Sequence, residues 1–186
     1  MESMDLNTEQ KSILMNIARE TIGNVVNGKK SPDFDIKDPI LNIKCGAFVT
    51  LHTGNHLRGC IGNIFSEISL WETIRNMAVE SALRDPRFPS VSPSELKNID
   101  IEISVLSPLK KVADIKEIEV GKHGILIKKD FYQGLLLPQV ATDYGWNRTQ
   151  FLEQTCHKAG LHKDCFKEKN CEIYIFSATV FSEKDL

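Results

Sequence analysis

The segment Leu57-Arg58-Gly59-Cys60-Ile61-Gly62-Asn63 reads as the return strand of a β-hairpin whose first strand runs from Lys44 to Thr53. Thr53-Gly54-Asn55-His56 supplies turn-forming residues between the two strands. Residues two apart in a strand lie on one face, so Arg58 and Cys60 are expected to project together. Because a nearby arginine favours the reactive thiolate, the segment predicts both an antiparallel hairpin and a candidate thiol site.

Two glycines, Gly59 and Gly62, stand on either side of the thiol. Glycine weakens a strand interior, so its presence there indicates a bulge or a close approach by backbone or by a ligand. We therefore include both glycines among the candidate ligand-binding residues.

The rest of the chain alternates between groups of strands and single helices. Periodicity and capping residues predict helices over Asn7–Asn27, Ser66–Arg84 and Asn147–Ala159, with a short helix after Ser92. Alternation and β-branched residues predict further strands over Ile99–Val105, Gly121–Lys129, Gly134–Leu137 and Glu172–Phe181. Strands that arrive in hairpins favour an α+β fold with an antiparallel or mixed sheet flanked by helices.

Composition restricts the class of protein. The chain has 186 residues, which fits a single domain over 1–186 or two small lobes sharing a core. Its formal net charge of -2 argues against a protein that mainly grips nucleic acid. No apolar run is long enough to cross a membrane, and five cysteines without paired spacing favour reduced thiols. We therefore expect a cytoplasmic protein with neither a cofactor nor a membrane partner.

Several short motifs carry a family resemblance. They are Leu57-Arg58-Gly59-Cys60-Ile61-Gly62, Asp85-Pro86-Arg87-Phe88-Pro89, Gly121-Lys122-His123-Gly124, Leu137-Pro138-Gln139-Val140, Tyr144-Gly145-Trp146 and Lys158-Ala159-Gly160-Leu161. Together they resemble the AMMECR family, the first component of the AmmeMemoRadiSam group. The resemblance implies an α+β fold with a larger and a smaller lobe, and association with Memo-type and radical-SAM-type proteins. It implies no catalytic assignment.

The thiol of Cys60 is the first candidate catalytic group. A thiolate held in a hairpin could attack a carbonyl, a phosphoester or another sulfur. His52 or His56 could approach it across the hairpin, depending on the strand register. The alternative is that Cys60 is a small buried hydrophobic residue, which is how free cysteine commonly behaves.

A second set of candidate site residues consists of three arginines, Arg58, Arg84 and Arg87. The planar guanidinium suits a carboxylate or a phosphate, so we predict a small anionic ligand, with Asp85 in the same turn. The structural alternative is that Asp85 and Arg87 hold the proline-rich turn while Arg58 pairs with Glu102.

Two residues further along the chain complete the candidate site. His123 could act as an acid or base because imidazole titrates near neutrality, although its Gly-X-X-Gly surroundings also fit an ordinary turn. Gln139 supplies an amide that could line a pocket. Trp146, close by in sequence, is expected to be a core anchor.

The C-terminal third holds zinc-ligand residue types: Cys156, His157, His162, Cys165 and Cys171. Their spacing matches no standard pair of chelating loops, so no metal site is predicted. Cys156 is expected in the core and the others at the surface.

These features lead to one hypothesis and two alternatives. The protein is expected to bind a small anionic molecule near Arg58 and Cys60, as a thiol-dependent hydrolase or transferase if it is an enzyme. The first alternative is a non-catalytic adaptor for Memo-type or radical-SAM-type proteins. The second is a nucleic-acid-associated regulator, which the acidic charge balance disfavours.

Overall fold

The structure is a computed structural model that describes residues 5–186. Within this range the α-helices are α1 (Thr8–Val26), α2 (Leu70–Leu83), α3 (Pro138–Asp143) and α4 (Arg148–Lys158). The strands are β1 (Ala47–Thr53), β2 (His56–Asn63), β3 (Ile99–Leu106), β4 (Lys110–Lys111), β5 (Gly124–Lys129), β6 (Tyr132–Leu136), β7 (Glu172–Phe176) and β8 (Ala178–Ser182). They form two four-stranded antiparallel sheets, which confirms the α+β prediction.

The chain divides into two compact units, and the larger one comprises Asp5–Leu106 and Thr179–Leu186. Its sheet has the order β2-β1-β3-β8, so β2 is an edge strand. Helix α2 packs on β1 and β2, and α1 packs on α2 and β3. The side chains beneath these helices are fully buried, among them Val49, Leu51 and Ile103. Successive side chains of a strand point to opposite faces of the sheet, so the neighbours of these buried residues lie on the face that points away from α1 and α2.

The smaller unit comprises Ser107–Ala178. Its sheet has the order β4-β7-β5-β6, and α4 packs against β5 and β6. Ile125, Ile127 and Phe151 are fully buried in its own hydrophobic cluster. This cluster gives the unit a core separate from the one beneath α1 and α2.

Helix termini follow the sequence closely. Asn7 with Gln10, and Asn147 with Gln150, form the expected capping boxes at the starts of α1 and α4. Helix α2 begins later than predicted, because Ser69 rather than Ser66 caps it and pairs with Glu72 in a capping box.

Other elements also differ from the sequence prediction. The helix expected after Ser92 is reduced to a turn and a single 3-10 segment, Leu96–Asn98. The last predicted strand breaks at Ser177 into β7 and β8, which belong to different sheets. Helix α3, which starts with Pro138 in its first turn, was not predicted.

In residues 5–186, no helix combines the length and the apolar character needed to span a bilayer.

Candidate functional site

The β1–β2 hairpin carries the candidate thiol, and a β-bulge sets its register. Leu51 pairs with Gly59 while His52 pairs with Leu57, so Arg58 is the extra residue on β2. The sequence expectation of a bulge in this segment is therefore confirmed. Because the bulge shifts the pairing by one residue, it decides which side chains of β1 lie beside those of β2.

Both glycines of the motif stand where another group approaches closely. A Cβ on Gly59 would lie 2.3 Å from the main-chain oxygen of Ser81 in α2. A Cβ on Gly62 would lie 2.2 Å from the ring of Phe48. The close approach that the sequence predicted is thus made by a helix backbone and by an aromatic ring.

The Asp85–Arg87 turn forms hydrogen bonds with the main chain of Cys60, on the side of β2 that has no neighbouring strand. The Cys60 amide donates to Asp85 Oδ2 at 2.8 Å, and Arg87 Nη2 donates to the Cys60 carbonyl at 3.0 Å. Arg87 also donates to both carboxylate oxygens of Asp85, at 2.9 and 2.7 Å. Hydrogen bonds from Arg87, followed by that from the Cys60 amide, hold the pKa of the buried Asp85 carboxyl well below its usual range.

The sulfur of Cys60 lies on the sheet face turned away from α1 and α2. Thr50 is its cross-strand partner, and the Thr50 hydroxyl donates to Cys60 Sγ at 3.3 Å. Cys60 is a free, half-buried cysteine. In this register His52 is opposite Leu57 and His56 is opposite Thr53, so neither histidine is the cross-strand neighbour of the thiol.

Arg58 is bound by the carboxylate of Glu95, which lies three residues after Ser92. Its Nε and Nη2 donate to the two oxygens of Glu95, at 2.7 and 3.3 Å. Glu95 also accepts from the Ser92 amide at 2.8 Å, and these bonds, led by that from Arg58, lower its pKa to about 2. The suggested pairing of Arg58 with Glu102 is wrong, because Glu95 takes that place.

Arg84 faces a different part of the larger unit. It pairs with Glu80 at 2.6 Å and lines an open groove of about 800 Å³ along α2, together with Arg75 and Asp33. Each of the three candidate arginines therefore has its own carboxylate partner, and Arg87 is the one in direct contact with Cys60.

His123 and Gln139 belong to the smaller unit. His123 is buried, and its Nδ1 accepts the amide of Glu119 at 3.1 Å, which fixes the turn before β5. Burial lowers the pKa of His123. Gln139 lies in the first turn of α3, where its carbonyl accepts from the Thr142 hydroxyl at 2.7 Å. Their catalytic and binding roles stay predictions.

The cysteine-rich tail contains a disulfide between Cys156 and Cys165. The expectation that all five cysteines are reduced is therefore wrong for this pair, and Cys165 is buried rather than at the surface. Their Cα atoms are 6.1 Å apart, within the range that a disulfide can bridge. Across residues 5–186 no group of three or more His, Cys, Asp or Glu side chains is arranged to hold a metal ion.

The fold and the thiol region define a class: α+β proteins in which the open edge of an Arg-Gly-Cys strand is held by an Asp-Pro-Arg turn. A family model described as AMMECR1 matches residues 15–181, so the chain belongs to the AMMECR1 family.

Relatives at about 40% identity come from archaea and a bacterium. Protein NEQ441 of Nanoarchaeum equitans is 41% identical, covering 91% of this chain and 98% of the relative. A protein of Aquifex aeolicus is 38% identical over 92% of each chain. The crystal structure of an uncharacterised protein of Pyrococcus horikoshii, PH0010, superposes with a TM-score of 0.88 at 37% identity, covering 97% of this chain and 94% of that one.

Proposed function

We propose that this protein is a thiol-dependent enzyme that uses Cys60 as the nucleophile on a small substrate bearing an anionic group. The hydrogen bond from the Thr50 hydroxyl to Cys60 Sγ is the observation that carries this assignment. A hydroxyl in this position fixes the sulfur and can donate to the negative charge that sulfur carries during attack, because charge strengthens such a bond. Cys60 is half-buried rather than enclosed in the core.

Arg87 is the arginine best placed to hold the anionic group of the substrate. Both Arg58 and Arg87 donate to the two oxygens of a carboxylate partner, but the side chain of Arg87 is 53% exposed, whereas that of Arg58 is 13% exposed. Hydrogen bonding to Asp85 raises the pKa of Arg87, so the guanidinium stays charged beside the Cys60 carbonyl. A fixed cation at this position would stabilise negative charge that develops on the substrate during attack.

Acyl transfer or hydrolysis is the chemistry that these groups support. After the thiol proton passes to solvent, Cys60 Sγ forms a bond to the acyl carbon, and the leaving group departs with the electron pair of the broken bond. Water or a second nucleophile then cleaves the acyl–sulfur bond and regenerates the thiol. The arrangement of Asp85 and Arg87 keeps the Cys60 backbone fixed during both steps.

Alkylation with iodoacetamide, followed at each cysteine by mass spectrometry from pH 5 to 9, tests this function. Cys171 is the matched control, since it is also free and half-buried, and burial raises its pKa. We expect Cys60 to react at least about tenfold faster than Cys171 at pH 7, and Thr50→Val to slow Cys60 selectively. An inert Cys60 in a folded protein that is labelled at Cys171 would contradict the nucleophile assignment.

A second candidate is the adaptor role for Memo-type or radical-SAM-type proteins. The β5–β6 turn favours it, because Phe131 is fully exposed and Tyr132 is 55% exposed. Exposed aromatic rings are enriched at protein interfaces. An adaptor would keep its complexes in Cys60→Ser and lose them in Phe131→Asp, whereas the thiol enzyme would lose activity only in the first variant.

A further inference from the structure

Four side chains form a row across the sheet of the larger unit. Three of them, Cys60, Thr50 and Glu102, lie on one face of the sheet, and Arg87 lies at its edge. Thr50 pairs with Cys60 on one side and with Glu102 on the other. The residues that flank Glu102 along β3, Ile101 and Ile103, are fully buried on the helix-covered face, so Glu102 projects from the opposite face. The order across the sheet is therefore Arg87 at the edge, then Cys60, Thr50 and Glu102.

Glu102 is a half-buried residue, and no side chain within residues 5–186 pairs with its carboxylate. Asp100, two residues earlier on the same face of β3, is paired with Lys184 at 2.7 Å. A carboxylate without a partner in the protein is free to pair with a cation that a ligand brings.

Distance excludes a direct proton transfer between Glu102 and the thiol. Neighbouring strands are about 4.8 Å apart, so the backbone of Glu102 lies roughly 10 Å from that of Cys60, with Thr50 between them. A general base must lie within hydrogen-bond reach of the proton that it removes, or act through one water. Glu102 is therefore suited to bind a distant part of the substrate.

We propose that the substrate of the Cys60 site is zwitterionic, with an ammonium group held by Glu102 and an anionic group held by Arg87. Its electrophilic carbon would lie between these groups, at Cys60 Sγ, several bonds from the ammonium nitrogen. This inference rests on the proposed function and adds the substrate class: a small molecule with an ammonium group and an anionic group at opposite ends. The row of opposite charges on the two sides of the thiol supports it.

The substrate need not be known to test this proposal. The rates at which cationic, anionic and neutral reagents alkylate Cys60 report the electrostatic potential at its sulfur. The rate constants of 2-bromoethylamine, a cation, and of iodoacetate, an anion, are each divided by that of neutral iodoacetamide. We expect Glu102→Gln to lower the bromoethylamine ratio about fivefold, the effect of one charge several ångströms away at intermediate dielectric. Arg87→Gln should lower the iodoacetate ratio in the same way.

Two further variants serve as controls. Glu20→Gln removes one negative charge from an exposed position on α1, so its ratios should equal those of the unmodified protein. Glu102→Asp keeps the charge and should keep most of the bromoethylamine preference. Glu20→Gln controls for the change in net charge, and Glu102→Asp controls for a disturbance of the fold at position 102.

The outcomes separate this inference from the function on which it rests. If Cys60 reacts rapidly with iodoacetamide but Glu102→Gln changes the bromoethylamine ratio no more than Glu20→Gln, the zwitterionic substrate is wrong and the nucleophile stands. If Cys60 fails to react with the neutral reagent in folded protein, both proposals are overturned.

Discussion

Asp85 explains, at the scale of single residues, why the Arg-Gly-Cys strand and the Asp-Pro-Arg turn lie side by side. Its carboxylate accepts from the Cys60 amide, while Arg87 donates to the Cys60 carbonyl. These two bonds replace the partners that a neighbouring strand would provide to an edge strand. The same pair thus closes the sheet edge and fixes the backbone of the candidate nucleophile.

The pairing of Glu95 with Arg58 predicts a pH dependence of stability. The folded-state pKa of Glu95, about 2, lies below the ordinary value of 4.5. Such a group stabilises the fold above its unfolded pKa, and this contribution is lost as the pH falls from about 4.5 to about 2. We expect a loss of about 1 kcal/mol, since the exposed part of Glu95 is screened by solvent.

Denaturant unfolding at several pH values between 2 and 6 measures this effect. Glu95→Gln should unfold with a shallower pH dependence than the unmodified protein over that window, because glutamine does not titrate. Equal slopes for the two proteins would show that the Glu95–Arg58 pair contributes nothing to acid sensitivity.

At the scale of elements, the hairpin itself was predictable but its side-chain pairs were not. Counting outward from Thr53 opposite His56 without a bulge would place Thr50 opposite Gly59. The extra residue at Arg58 moves Cys60 into that place, so the hydroxyl–sulfur contact depends on one backbone irregularity. The glycines indicated a bulge, but sequence alone does not say which residue is inserted.

Gly59 is predicted to be intolerant of any side chain. A Cβ there would meet the Ser81 main-chain oxygen at 2.3 Å, and backbone cannot rotate away as a side chain can. Gly59→Ala should therefore lower the free energy of unfolding by about 3 kcal/mol, the upper part of the usual range for overpacking. It should also disturb the Cys60 position, since α2 and β2 would have to separate.

Gly23→Ala is the matched substitution, because nothing lies within 4 Å of the added Cβ in α1. Alanine is the better helix former, so this variant should be more stable by about 0.5–1 kcal/mol. Thermal and denaturant unfolding compare the two. A Gly59→Ala protein as stable as Gly23→Ala would mean that β2 and α2 are not packed as described.

At the scale of the whole molecule, local patterns did not reveal how the strands are shared between two units. The run Glu172–Phe181 is continuously strand-like, yet the chain passes from one sheet to the other at Ser177. Ser177 and Ser107 exchange hydrogen bonds of 2.9 Å at this point. The disulfide was not predicted either, because the spacing of cysteines along the sequence does not determine which of them come together in the core.

The disulfide predicts that the two units respond differently to a reductant. Cys156 and Cys165 join α4 to the following 3-10 segment within the core of the smaller unit. Opening such a short loop should cost that unit about 2–3 kcal/mol, through added freedom of its unfolded chain. The larger unit contains the free thiols Cys45 and Cys60 and no part of this disulfide, and its core is separate.

Hydrogen exchange with and without dithiothreitol, resolved by peptide, tests the difference. Exchange should accelerate in α4 and β5 on reduction and stay unchanged in β1 and β3, because opening of a region is governed by its local stability. The double variant Cys156→Ala with Cys165→Ala is the control, and it should exchange rapidly in α4 with or without reductant. Equal acceleration in β1 and α4 would instead show that both cores open together, in one cooperative transition.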